Sequence, residues 1–513
     1  MSDARNGRHR TARAAASVGL LACVGGSLAW ATTSPPPSPR PAATADTAVP
    51  IDERTWICPE AGGASQGGAA WIAYADPATG DGQLAVGPLD PARAPAPADV
   101  HPGNAWTTTA PASPTPVRID GRGALAATFA ALQVTREVVG SGAVQLASTP
   151  CRPPTTDAWF LGASTQAGAQ ATLVLANPDD TPASVDVGLF DDTDPPNPQA
   201  ARGVRVPGMS QVTVPIDQLE PNAAVVAVHV TTESGRVVAG LRYALMNGQV
   251  PLGREWIPQT GPPASELVVP GLAGGDGPRK ILLANPGELD ATASLRVVGP
   301  DGSFTPTGFD QVTVAAGQTV AVDVEPALHQ QPAAIVINSD QPLIAGSVIG
   351  LPASSVGATD VAFGAAVPAL TGSVAVAGAE NVSDKRTTLL LSAPSQDAVV
   401  RLEILPSLPG GRSAQRTPGP SPSAVVTIAV PAGTSKNIEL ATLTKDPAPG
   451  LELTIESGSV YGALIVHEAG AKGDGLTAFP LRTLPGTRDR PPAYADLQVG
   501  EGGGGPQSSS GQP

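Results

Sequence analysis

The stretch LVLANPDD, Leu173–Asp180, returns as ILLANPGELD at Ile281–Asp290 and, more loosely, as LLLSAPSQD at Leu389–Asp397. Asn177 and Asn285 stand 108 residues apart, and Ala393 takes the equivalent place 108 further on. In each copy an apolar run ends in an x-Pro pair, at Pro178, Pro286 or Pro394. The residue before proline is pushed to extended geometry, and proline donates nothing to a ladder, so a strand must turn there. An asparagine at that corner can bond its own backbone.

Strict alternation follows each corner. Val185, Val187 and Leu189 oppose Ser184 and Asp186; Leu295 and Val297 oppose Ser294 and Arg296; Val400, Leu402 and Ile404 oppose Arg401 and Glu403. A period of two with one polar face is a half-buried antiparallel strand. Further along, SQVTVPIDQL, GQTVAVDVEPAL and GTSKNIELATL match one another, ending at Leu219, Leu328 and Leu443. Next come AVVAVHVTTESGRVVAGL, AAIVINSDQPLIAGSV and LELTIESGSVYGALIV, each read as two strands about a short polar turn. Six or seven strands in roughly 105 to 115 residues is the size of an immunoglobulin-like sandwich.

The whole chain is therefore read as all-β: tandem immunoglobulin-like antiparallel β-sandwich modules after an N-terminal signal or anchor segment. The expected divisions are a basic stub with an apolar run at 1–31, a Pro-rich linker at 32–50 and an N-terminal β domain at 51–155. Three sandwich repeats at 156–262, 263–370 and 371–485 and a disordered tail at 486–513 complete them. Composition agrees, since 58 Gly and 56 Pro are spread through 513 residues. An interior proline costs a helix about 3 kcal/mol. One segment, GALAATFAALQV, reads equally as a short helix or a buried strand.

The net charge of −15 would be more negative still without Arg5, Arg8, Arg10 and Arg13. Such a surface repels phosphate backbones and argues against nucleic acid as a partner. Those four arginines precede an uncharged run, Ala14–Ala31, so the positive-inside rule exports everything beyond it. Cleavage after Ala29-Trp30-Ala31, retention as a signal anchor, and lipidation at Cys23 compete. The expected location is extracytoplasmic, with membrane contact only through this segment. Cys58 and Cys151 then lie in an oxidising compartment and are expected to form one disulfide. They have no nearby His and lack a zinc spacing.

Few residues offer chemistry. Gly63-Ala64-Ser65-Gln66-Gly67 matches a nucleophile elbow in letters, but it lacks the flanking strand and helix that lift the serine. The HEAGA segment at His467 lacks a second zinc-binding His, and His101, His229 and His329 are scattered. Asp-rich FDDTDPPN lacks EF-hand spacing. No catalytic residue, metal or cofactor is assigned. Trp106, in HPGNAWTTTAPASP, lies in turn and linker chemistry and is expected to be the most exposed Trp of the folded part, a candidate glycan contact.

TWICPE after the apolar run, Cys151 followed by Trp159-Phe160-x-Gly162, then LxLANP and VTV…L…VVAVHV, resemble an uncharacterised actinobacterial family of secreted or membrane-anchored proteins. The resemblance covers most of residues 51–485, and the third repeat departs from it with Ser-Ala-Pro. It implies an envelope role and supplies no catalytic residues. The expected function is a non-enzymatic envelope scaffold whose partner is an envelope protein or wall polysaccharide. A glycan-binding protein is the alternative, and an exported hydrolase ranks last.

Overall fold

Each x-Pro corner ends a strand: Ala169–Asn177 in the first repeat, Arg279–Ala284 in the second, Lys385–Ala393 in the third. A computed structural model of the chain describes residues 48–484, except 61–67, 75–80, 99–104, 111–114, 127–128, 141, 193–196, 353–358, 379, 381–383 and 409–423, together with 487–489. The chain divides into a unit of residues 50–487 and a second made of 1–49 and 488–513. At their border Ala48–Pro50 pairs with Thr487–Asp489, so this ladder includes residues read above as linker and tail. The rest of the second unit, including Ala14–Ala31, lies outside the described residues. Among the described residues no helix is long and apolar enough to cross a membrane.

The fold is all-β and antiparallel in nearly every pairing. In the first repeat one sheet runs Ser210–Pro215, Ala169–Asn177, Val238–Asn247, Val250–Ile257. The facing sheet runs Asn197–Val206, Ala183–Phe190, Val226–Ser234, Asp157–Ala163, Gln259–Thr260. Val185, Val187 and Leu189 point into the space between them and are fully buried beside Leu173, Leu175 and Val228. Burying such a side chain stabilises by roughly 1.5–3 kcal/mol, so the alternation alone fixes the strand's face. Leu295 and Val297 do the same in the second repeat, Val400, Leu402 and Ile404 in the third.

One expected turn is absent. Ala333–Gly350 is a single 18-residue strand that pairs with Ala291–Gly299 through its first half and with Arg279–Ala284 through its second. The polar Asn338-Ser339-Asp340-Gln341 segment marks where the strand passes from one sheet to the other. Asn338 and Asp340 are exposed there, and part of the polarity that reads as a turn is used at the crossing: Asp340 Oδ1 accepts the Thr292 amide at 2.7 Å, and the Ser339 hydroxyl donates to the Gln341 carbonyl at 2.5 Å.

The N-terminal β domain repeats the sheet that carries the corner strand in each repeat, the inner sheet of each module. Ala105–Ala110, Gly68–Tyr74, Phe129–Val139 and Ala143–Pro150 follow the same strand order as the four strands of the first repeat. The ambiguous GALAATFAALQV resolves into a 3-10 turn at Ala124–Ala126 and the start of the Phe129–Val139 strand. Cys58 and Cys151 are joined in a disulfide, next to Trp56 and Phe129, whose rings meet edge to face at 4.7 Å.

Candidate functional site

Every inner sheet ends in an edge strand, and the four edge strands meet. Ala143–Pro150 packs on Val250–Ile257, that strand on Val361–Ala365, that on Gly475–Pro480, and the last returns to the first. Two buried carboxylates sit at this meeting point. Asp360 Oδ2 accepts the amides of Leu146 at 2.8 Å and Leu476 at 3.0 Å, while Oδ1 accepts that of Arg254 at 3.4 Å. Glu255 Oε1 accepts the amides of Ser148 at 2.7 Å and Trp256 at 2.9 Å, and Oε2 accepts the Thr477 hydroxyl at 2.5 Å. Together they touch all four modules.

Burial pushes Asp360 up to about 8 against the opposing pull of its amide donors, and burial likewise raises Glu255 well above the carboxylate range. Perturbed carboxyls often mark catalytic sites. Here neither lines any of the three cavities described for the molecule. Their hydrogen bonds go to backbone amides and a threonine, which makes them joints between modules.

Neighbouring modules are also stitched at one recurring position. Gln211, Thr319 and Ser435 each lie opposite the residue before the corner, at Ala176, Ala284 and Ser392. Each reaches back one module. Gln211 Nε2 donates to Glu60 at 3.1 Å, Thr319 Oγ1 to the Val225 carbonyl at 2.9 Å, and Ser435 Oγ to the Val298 carbonyl at 2.6 Å. The last module closes on the first through Val144 N to Gly473 O at 2.9 Å and the Arg136–Glu468 ion pair. Ser407–Leu408 adds a parallel strand to Ala105–Ala110 across the same seam.

That closing seam holds a cavity of about 120 Å³. Phe129, Leu132, Val374, Val376, Phe479 and Leu481 contribute its apolar wall, and Arg152 and Arg482 its only charged lining among the described residues. Burial lowers Arg152 to about 10; burial, then the nearby Arg152 charge, lowers Arg482 to about 9. A second cavity, about 310 Å³, lies between the second and third repeats and presents Arg386, Thr388, Asn437, Glu439 and His467. Burial lowers the His467 pKa, and its Nε2 stands 3.2 Å from Asp474.

The residues singled out in the sequence fare differently. Trp106 lies in the strand Ala105–Ala110, flanked by Ile72 on one side and Leu408 on the other. Its backbone is therefore paired, a correction to the turn-and-linker reading; its side chain lies outside the described residues, as does Ser65. Thr107 to Thr109 supply β-branched residues that favour the strand over the loop. Trp256 is buried against Ala147 and Val174 at the joint between the first two modules. His229 stacks on Trp159 at 3.7 Å and lies 2.9 Å from Asp157. Asp192 accepts the amides of Ala224 and Val225, while Asp194 lies outside the described residues. No group of three metal-ligating side chains occurs among the described residues.

Sequence reasoning passed over Glu255, Asp360, Arg152 and Arg482. A signal existed: Glu255 and Asp360 are lone acids beside the apolar residues of edge strands, and Arg152 directly follows a disulfide cysteine. A charge in such a position must find partners or shift its pKa.

The fold and these joints define an all-β protein of four packed sandwich-type modules. The chain belongs to a family of unknown function, DUF5719, whose model matches residues 105–418. A search of the curated proteins found no match.

Proposed function

We propose that this chain is a non-enzymatic extracytoplasmic protein of an actinobacterial cell envelope, secreted or held by its N-terminal segment, in which the packed β-modules act as a structural or interaction scaffold. The observation that carries this reading is the placement of Glu255 and Asp360. Both are buried carboxyls with raised pKa, and both are committed to amides and a hydroxyl of neighbouring modules. Groups so engaged are unsuited to proton transfer with a substrate and well suited to holding the modules rigid. The Cys58–Cys151 disulfide supports an oxidising compartment. The acidic chain argues against a nucleic-acid partner.

A second reading, binding of an envelope polysaccharide, draws on the cavity between the second and third repeats. Arg386, Thr388, Asn437 and Glu439 offer the mixed donors and acceptors that sugar hydroxyls require. Cross-linking in intact envelopes followed by capture of the full chain separates the two. A reproducible protein partner supports the scaffold. Retention on purified wall polysaccharide, lost in Asn437→Ala and with no protein partner captured, supports the glycan reading and overturns the first.

A further inference from the structure

The seam where the last module closes on the first holds an apolar cavity, open on one side, with two arginines and no acid in its lining among the described residues. Salt bridges elsewhere in the molecule show the ordinary arrangement: Arg279 with Glu325, Arg118 with Asp120, Arg236 with Asp179. Arg152 and Arg482 have no such carboxylate partner among the described residues. Arg482 donates from Nη2 to the carbonyls of Gln259 and Ala366, and its Nε has no hydrogen-bond partner among the described residues. Two like charges beside one apolar cavity oppose each other and are poorly solvated, an arrangement that an anion relieves.

We propose that this cavity is a binding site for an organic carboxylate with a compact apolar body. The guanidinium groups would receive the carboxylate, as Arg does wherever planar anions are recognised. Phe129, Leu132, Val374, Val376, Phe479 and Leu481 would receive the apolar part. The cavity volume of about 120 Å³ matches the scale of one ring or a short chain. Apolar cavities of about 150 Å³ hold one benzene. Inorganic phosphate or sulfate would satisfy the charge and leave the apolar wall empty, so the chemistry selects against them. Ser373, also on the wall, is held by Glu452 at 2.6 Å, which keeps that acid tied to a hydroxyl. This site is independent of the scaffold reading, since a scaffold and a glycan binder can each carry it.

The test is calorimetric titration of the full-length protein with sodium benzoate, its neutral isostere benzamide, sodium octanoate and inorganic phosphate. Benzoate or octanoate should bind at least tenfold more tightly than benzamide, and phosphate should show no saturable binding. Preference for benzoate over octanoate identifies a ring-sized acid as the natural class; the reverse identifies a short-chain acid. Arg482→Met and Arg152→Met should each weaken the preferred acid about tenfold or more while leaving benzamide unchanged. Should either variant fail to fold, a crystal of the unaltered protein soaked in 4-bromobenzoate gives the answer by anomalous scattering. Bromine inside the seam cavity with its carboxylate on Arg152 or Arg482 sustains the site. Equal affinity for benzoate and benzamide, arginine variants that bind as well as the parent, or no bromine in the cavity would overturn it.

Discussion

Asn177 and Asn285 make the same three hydrogen bonds at the same sequence offsets. Asn177 Nδ2 donates to the carbonyls of Thr181 at 2.8 Å and Val206 at 3.1 Å, and Oδ1 accepts the Asp179 amide at 3.0 Å. Asn285 repeats this with Leu289 at 2.7 Å, Val314 at 3.0 Å and Gly287 at 3.0 Å. Both side chains are fully buried. The repeated asparagine is thus a corner clamp, tying the end of one strand to the approach to the next, Ala183–Phe190 or Ala291–Gly299, and to the last residue of the strand paired with it, Val206 or Val314. In the third repeat Ala393 replaces it, and the Gly433 amide bonds the Ala393 carbonyl at 2.7 Å.

Removing a clamp leaves the carbonyl of Val206 or Val314, held in a buried bond, without that donor, at a cost of about 1–3 kcal/mol. Asn177→Ala and Asn285→Ala should each lower stability by about 1–3 kcal/mol. Asn177→Asp should be no milder, because a carboxylate faces two carbonyls where an NH₂ stood. Urea unfolding of the three variants checks this; a change under about 0.5 kcal/mol in both alanine variants would show that the corners hold themselves.

The disulfide should leave neither Cys58 nor Cys151 open to alkylation in the native, unreduced protein. Its sequence separation is 93 residues, and loss of a native bridge costs about 2–5 kcal/mol. Replacing both cysteines by serine should lower the melting temperature, while the unaltered protein under reductant should approach the same value. Mass spectrometry after alkylation reads the first outcome, and thermal unfolding the second.

At the module junction, Asp360 has its folded pKa raised from 3.8 to about 8, and that of Glu255 is raised in the same sense. The folded state therefore holds protons that the unfolded chain releases. This contribution to stability is complete below about pH 4 and is lost as pH rises through about 8, at up to about 1.4 kcal/mol per pH unit for each titrating group. Melting temperature should be higher at pH 6 than at pH 8.5. Asp360→Asn should reduce that difference by about half or more, whereas an unchanged slope would remove Asp360 as its source.

Close packing between modules rests on positions without a side chain. Gly253 has φ +144°, and a Cβ there would meet Val361 Cγ1 at 2.5 Å. Gly378, with φ +86°, would place one 2.2 Å from Leu132 Cδ2. Gly253→Ala and Gly378→Ala should each destabilise by about 1–3 kcal/mol through strain and overpacking. Gly203, whose Cβ would meet nothing within 4 Å, serves as the surface control despite its φ of +61°. Calorimetric melting of the three variants separates the crowding from the backbone term.

The sequence by itself determined the modules. Val185, Leu295 and Val400 announce a buried face by period two, and x-Pro at a 108-residue spacing announces a repeated corner. These are local signals, carried by residues near one another in the chain. Only the tertiary structure decided how the modules meet. Ser148, Glu255, Asp360 and Thr477 lie far apart in sequence, and nothing in their neighbourhoods gives the distance between them. Trp106 shows the same limit from the other side: its neighbours read as loop, but two strands from distant parts of the chain pair with it. Arg152 and Arg482 likewise look like ordinary surface charges until ring closure places them beside one apolar cavity. Alternation and turn chemistry are one-dimensional and survive in the letters; burial of a charge depends on what the rest of the chain brings to it, and that exists only once the last module has closed on the first.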